Sequence, residues 1–148
     1  MTSLLSAVFY NNIEMIKLLI ALGADVNVAG ENDVAPLFFA SANNNIEAVR
    51  LFLSLGADVN KSNNKGQTPL LIACISNNIA IVKALLAAGA DANVMDNNGN
   101  TPLSIATEKH YKELENLLRK HLQDALVKEL TREVVPTSNN TTEIDTKK

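Results

Sequence analysis

The sequence predicts an all-α solenoid in which antiparallel helix pairs stack through connecting turns and a capping helix closes the C-terminal end. Three observations predict it. The pentapeptide GADVN at 23–27 returns at 56–60 and, as GADAN, at 89–93, so Gly56 stands 33 residues after Gly23 and Gly89 33 after Gly56. A fixed period between roughly 20 and 50 residues marks a repeat architecture. The tripeptides TSL, APL, TPL and TPL keep the same beat, with middle residues at 3, 36, 69 and 102. Between the two markers apolar residues recur at helical spacing, as in Ile81, Val82, Leu85 and Leu86.

The first unit carries Met15, Ile16, Leu18, Leu19 and Ile20 in its second helix and no polar substitution to protect its outer side. Three readings stay open there: the first helix covers that side, the side packs on a second molecule, or the chain descends from a longer array. The third unit, 63–95, shows the design most clearly. Thr68 caps a helix with its hydroxyl and Pro69 suits the first helical position, where a missing N–H costs nothing. That helix runs through Leu70, Leu71, Ile72, Ala73 and Cys74 to about Ser76 and meets Asn77 and Asn78, residues that tolerate the left-handed turn. A second helix is expected at 79–88, ended by Gly89, with a polar turn through Asn97, Asn98 and Gly99 before the next unit. Helices of roughly 8 to 10 residues are marginal alone in water, so each unit must be covered by its neighbour.

In the fourth unit, TPLSIATEKHYKELENLLRKH, positions that were apolar become Glu115 and Arg119 and no GAD turn follows, as a terminal cap facing water requires. Leu114, Leu118, Leu122, Leu126 and Leu130 recur every four residues, which extends the helix over 122–135. That extension is expected as a capping helix, with a partner-binding amphipathic helix as the alternative. The segment 136–148 is polar and is expected to be a disordered tail.

With these residues in view, TPLLIACISNNIAIVKALLAAGADAN resembles an ankyrin repeat, and the resemblance covers about residues 1–121 in units near 1–29, 30–62, 63–95 and 96–121. Two departures stand out. Leu5, Phe38, Leu71 and Ser104 replace the family's TPLH histidine, so apolar packing is expected in place of its polar link. Asn11-Asn12, Asn44-Asn45, Asn77-Asn78 and His110-Tyr111 replace Gly-His between helices, at a strain on the order of 1 kcal/mol per left-handed asparagine.

Composition narrows the function. The chain has 148 residues, 47% hydrophobic and 20% charged, enough to bury one domain's core. A net charge of −3 gives no basic field for nucleic acid, and no apolar run is long enough for a membrane span. The N-terminus lacks the basic region of a secretory signal, and the sequons at Asn60, Asn139 and Asn140 are read as chance matches. The lone Cys74 cannot form an internal disulfide and sits at a small core position, where an inert buried thiol is expected. His110 and His121 are expected in solvent, and Asp25, Asp58 and Asp91 in turns, where they satisfy local N–H groups instead of binding cations. The chain carries no C-x-x-C, H-E-x-x-H, P-loop or G-x-S-x-G motif, so no catalytic residue, metal or cofactor is expected.

What the resemblance implies is a module that binds a protein partner through its concave, turn-lined face. By similarity to the family, contacts fall on Phe9 and Tyr10; on Glu31, Asn32, Val34, Ala42 and Asn43; on Asn64, Lys65, Gln67, Ile75 and Ser76; and on Asn97, Asn98, Asn100, Glu108 and Lys109. Phe9 either meets a partner or packs beneath the Met1 end. A monomer is favoured over a homodimer; the alternative is a self-assembling protein that uses its first unit as a homotypic interface. The expected compartment is the cytoplasm, and a resemblance to stand-alone ankyrin proteins of intracellular bacteria adds export into a host cell as an option.

Overall fold

The computed structural model describes the backbone of residues 2–146 and the side chains of residues 2–132; Met1 and the side chains of the expected tail at 136–148 lie outside the described residues. Four helix pairs follow one another: α1 (Ser3–Phe9) with α2 (Ile13–Ala21), α3 (Pro36–Ala42) with α4 (Ile46–Ser54), α5 (Pro69–Ile75) with α6 (Ile79–Ala87), and α7 (Pro102–Glu108) with the long α8 (Lys112–Thr146). A short 3-10 turn, Glu31–Asp33, precedes α3. First helices of 7 residues and, before α8, second helices of 9 are too short to hold themselves in water. Packing between pairs supplies the stability, and no strand occurs among the described residues.

Each first helix starts as the tripeptides imply. Thr2, Thr68 and Thr101 accept the N–H of Leu5, Leu71 and Ser104 at 3.1, 3.3 and 3.1 Å. Ser104 returns the bond to the Thr101 N–H at 2.8 Å, closing a capping box. Only α3, entered through Ala35, lacks a side-chain cap among these four. The asparagine pairs then divide their work. Asn11, Asn44 and Asn77 take left-handed φ values of 53°, 58° and 56° and end the first helix. Asn12, Asn45 and Asn78 accept the N–H of Met15, Ala48 and Ile81 at 3.1, 3.0 and 3.1 Å and so cap the second helix.

The same asparagines join neighbouring pairs. Asn45 donates its amide to the Asn11 side-chain oxygen at 2.7 Å, and Asn78 to that of Asn44 at 3.4 Å. In the last pair Tyr111 takes the place of the second asparagine, and its hydroxyl donates to the Ile75 carbonyl at 3.4 Å. A parallel ladder explains the repeated GADVN. Within each turn the aspartate accepts the N–H of the asparagine two residues on: Asp25 from Asn27 at 2.9 Å, Asp58 from Asn60 at 3.0 Å, Asp91 from Asn93 at 2.9 Å. Between turns, Asn27 accepts the Asp58 N–H and Asn60 the Asp91 N–H, both at 2.8 Å. The pentapeptide is a turn and a rung at once.

Between the ladders lies a continuous apolar core, with Ile16, Leu37, Val49, Phe52, Leu70, Ile81, Leu85, Leu114 and Leu118 among its buried members. Leu5, Phe38 and Leu71 are buried at the histidine positions, so apolar contact does replace the polar link. The two ends differ. At the C-terminal end Glu115 pairs with Arg119 at 2.7 Å over the outer side of α8. At the other end Met15 is 41% exposed, while its equivalents Ala48 and Ile81 are at 0%, so the first pair leaves apolar surface bare.

Candidate binding surface

The first helices and the turn tips share one face. At its N-terminal end Tyr10 is 76% and Phe9 55% exposed. Their rings meet edge-on with centroids 5.1 Å apart, and Phe9 also stacks on Phe39 of the next pair at 6.1 Å and 19°. Phe9 therefore reaches toward the second pair; the alternative that it packs beneath the Met1 end lies outside the described residues. The three rings form a shelf across the seam between α1 and α3.

Beside the shelf is a recess of about 330 Å³ lined by Leu5, Val34, Phe38, Phe39 and Ala42, with Glu31 and Asn32 along its lip. Of the expected contact residues, Glu31, Asn32, Val34 and Ala42 lie on this recess and Phe9 beside it. Phe39, its back wall, was missed by the family mapping. The available signal was the aromatic doublet at 38–39, where the other units have Leu5-Ser6, Leu71-Ile72 and Ser104-Ile105.

Further along the face Ile75 is only partly exposed and carries the Tyr111 bond on its carbonyl, while Ser76 and Asn43 are open to solvent. Lys65, Asn98, Glu108 and Lys109 are exposed, the first two on tips and the last two at the end of α7. Gln67 and Asn100 are half-buried, because their side chains are engaged within their tips. Gln67 accepts from the Asn63 amide at 3.1 Å, and the Asn100 amide donates to Asp96 at 3.1 Å. Asp96 also accepts the N–H of Asn98 and Asn100, both at 2.9 Å. Burial pushes the Asp96 carboxyl up, but hydrogen bonds from Asn100, Asn98 and Gly99 outweigh it and hold the group below the usual aspartate range.

The remaining chemically interesting side chains do not converge. Cys74 is fully buried in α5, and burial pushes its thiol up to about 12, which removes the thiolate a nucleophile needs. His110 is exposed with a left-handed φ of 61°, in the turn between α7 and α8. Among the described residues no group of three or more His, Cys, Asp or Glu side chains is placed to hold a metal. No described helix is long and apolar enough to cross a membrane.

A family model for ankyrin repeats, described as three copies, matches residues 1–63 and 37–129. The chain belongs to the ankyrin-repeat family, whose members generally serve as protein–protein interaction modules. A search of curated proteins returned no match.

Proposed function

We propose that this chain is a non-enzymatic module that docks a protein partner along the face made by its first helices and turn tips. One observation carries the reading: the solvent-facing shelf of Tyr10, Phe9 and Phe39, in a chain with only 4 Phe and 2 Tyr. Aromatic side chains are enriched at protein interfaces, and tyrosine is among the residues enriched at binding hot spots. The asparagine ladders order that face before any encounter, so little conformational entropy is lost on docking. A cytoplasmic setting fits the single buried thiol, and the acidic balance favours a protein partner over nucleic acid. Export into a host cell stays an analogy with bacterial ankyrin proteins.

The test is affinity capture from cytosolic extract with wild type and with a Phe9→Ala, Tyr10→Ala, Ile75→Arg variant of equal helicity, followed by titration of the captured protein. A 1:1 partner lost by the variant supports the reading; identical capture by both sinks it. A second reading is favoured by the bare side of α2, where Met15, Leu18 and Leu22 are exposed. There the first pair is a homotypic interface. A concentration-dependent dimer in sedimentation equilibrium, dispersed by Leu18→Glu, would select it.

A further inference from the structure

The second pair breaks the local rules that the others keep, and it does so where the recess is. Its helix begins on Ala35, with no side-chain cap, where Thr68 and Thr101 serve the later pairs. Its tip begins on Gly30, where Asn63 and Asp96 give the later tips an internal acceptor. A Cβ on Gly30 would come within 2.7 Å of the Leu5 side chain, so the missing side chain lets the tip close down on Leu5. Asp33 occupies a left-handed position, φ 61°, where Gly66 and Gly99 stand at 76° and 85°. An aspartate there gives up backbone ease and sets a second carboxylate two residues from Glu31. Departures from local preference that cluster in space mark functional sites in proteins whose other levels agree.

We propose that the recess takes a partner segment that presents one large apolar side chain next to a lysine or arginine. The inference rests on the protein-binding reading and names the partner's chemistry. The floor is apolar, with Leu5, Val34, Phe38, Phe39 and Ala42, and about 330 Å³ accommodates an anchor of aromatic or large aliphatic size. The lip is acidic: Glu31 lines the recess and Asp33 is exposed beside it, and neither carboxylate joins an ion pair among the described residues. An anchor flanked by a cation satisfies both, whereas one flanked by carboxylates meets like charge.

The experiment titrates the isotope-labelled full chain with short serine-glycine peptides centred on Lys-Phe-Lys, Glu-Phe-Glu or Lys-Ala-Lys, following backbone amides by NMR. The Lys-Phe-Lys peptide should saturably shift residues 31–34 and 38–42, with affinity about threefold or more above Glu-Phe-Glu. Lys-Ala-Lys should give no saturable shift. Asp33→Gly should raise the melting temperature yet weaken Lys-Phe-Lys binding about twofold or more and leave Glu-Phe-Glu unweakened, a combination that a structural role for Asp33 does not produce. Equal affinity for the two phenylalanine peptides, shifts located elsewhere, or no saturable shift at about 1 mM peptide would each overturn the proposal. If any of these appears while the Phe9, Tyr10, Ile75 variant still loses its captured partner, the binding-module reading stands and only the recess assignment falls.

Discussion

The side-chain amide of Asn45 reaches across the boundary between the first two helix pairs and donates to the side-chain oxygen of Asn11 at 2.7 Å, while its own oxygen accepts the Ala48 N–H at 3.0 Å. One residue thus caps α4 and fastens it to the preceding pair. Asn45→Ala should cost about 2 kcal/mol, summing a lost cap and a lost bridge. Asn45→Ser keeps a capping oxygen and drops the bridge, so about half the cost should remain. Urea denaturation of the two variants checks this; equal losses would remove the bridge from the account.

Asp33→Gly should stabilise the chain. A left-handed φ of 61° is strained for aspartate and free for glycine, as Gly66 and Gly99 show at the equivalent positions. The expected gain is about 1 kcal/mol, or about 3 °C in a thermal melt. A lower melting temperature would mean that the Asp33 carboxylate makes a compensating bond.

Acid stability should trace to Asp96. Burial pushes its carboxyl up, but hydrogen bonds from Asn100, Asn98 and Gly99 outweigh that push and hold its folded-state value below the ordinary one of an unfolded aspartate. Between the two values the unfolded chain binds more protons, so the stabilisation is complete above the unfolded value and is lost as pH falls through the folded one. Asp96→Asn should flatten this acid limb without unfolding the tip, since Asn63 already accepts the Lys65 and Gln67 N–H groups in the preceding tip at 2.9 Å. Glu115, held down chiefly by its hydrogen bond from Arg119, contributes in the same sense and accounts for part of the slope that remains. Urea midpoints measured between about pH 5 and about pH 2 would show the change, and an unaltered limb in the variant would clear Asp96.

Cys74 should be silent toward thiol reagents at pH 8 in the native state and fully reactive in denaturant. With its thiol pushed up to about 12 and its side chain fully buried, the thiolate is scarce and sheltered. A dithionitrobenzoate time course reads this directly. Rapid stoichiometric reaction of native protein would contradict the burial of α5.

Much of the fold was legible because it is written in local chain chemistry. Thr68 and Pro69 start a helix by hydrogen bonding and by a fixed φ, and Gly89 stops one by tolerating a φ of 94°; each acts within a few residues of itself. The period made those local signs additive. In the sequence Asn77-Asn78 is a single turn signal, and only the spatial arrangement separates the left-handed Asn77 from the capping Asn78. The rungs from Asn27 to Asp58 and from Asn60 to Asp91 were invisible for the same reason, since they join residues 31 apart. The recess was half legible. Glu31, Asn32, Val34 and Ala42 lie on the expected contact positions, but its floor also depends on Leu5 packing beneath a tip that starts 25 residues later, at Gly30, and no period in the chain announces that contact.

The bare outer side of α2 has a consequence for where the molecule yields. In a stack whose members touch only their neighbours, an end whose outer side is bare opens readily, and the first pair, with Met15 and Leu18 exposed, is such an end. The recess straddles the very seam that such an opening would part, because Leu5 belongs to one pair and Phe38, Phe39 and Ala42 to the next. A segment lodged there acts as a clasp on a fraying edge. Occupancy is then readable as slower hydrogen exchange in α1 and α2 and as a higher melting temperature that rises with ligand concentration, without any change in the far end of the array.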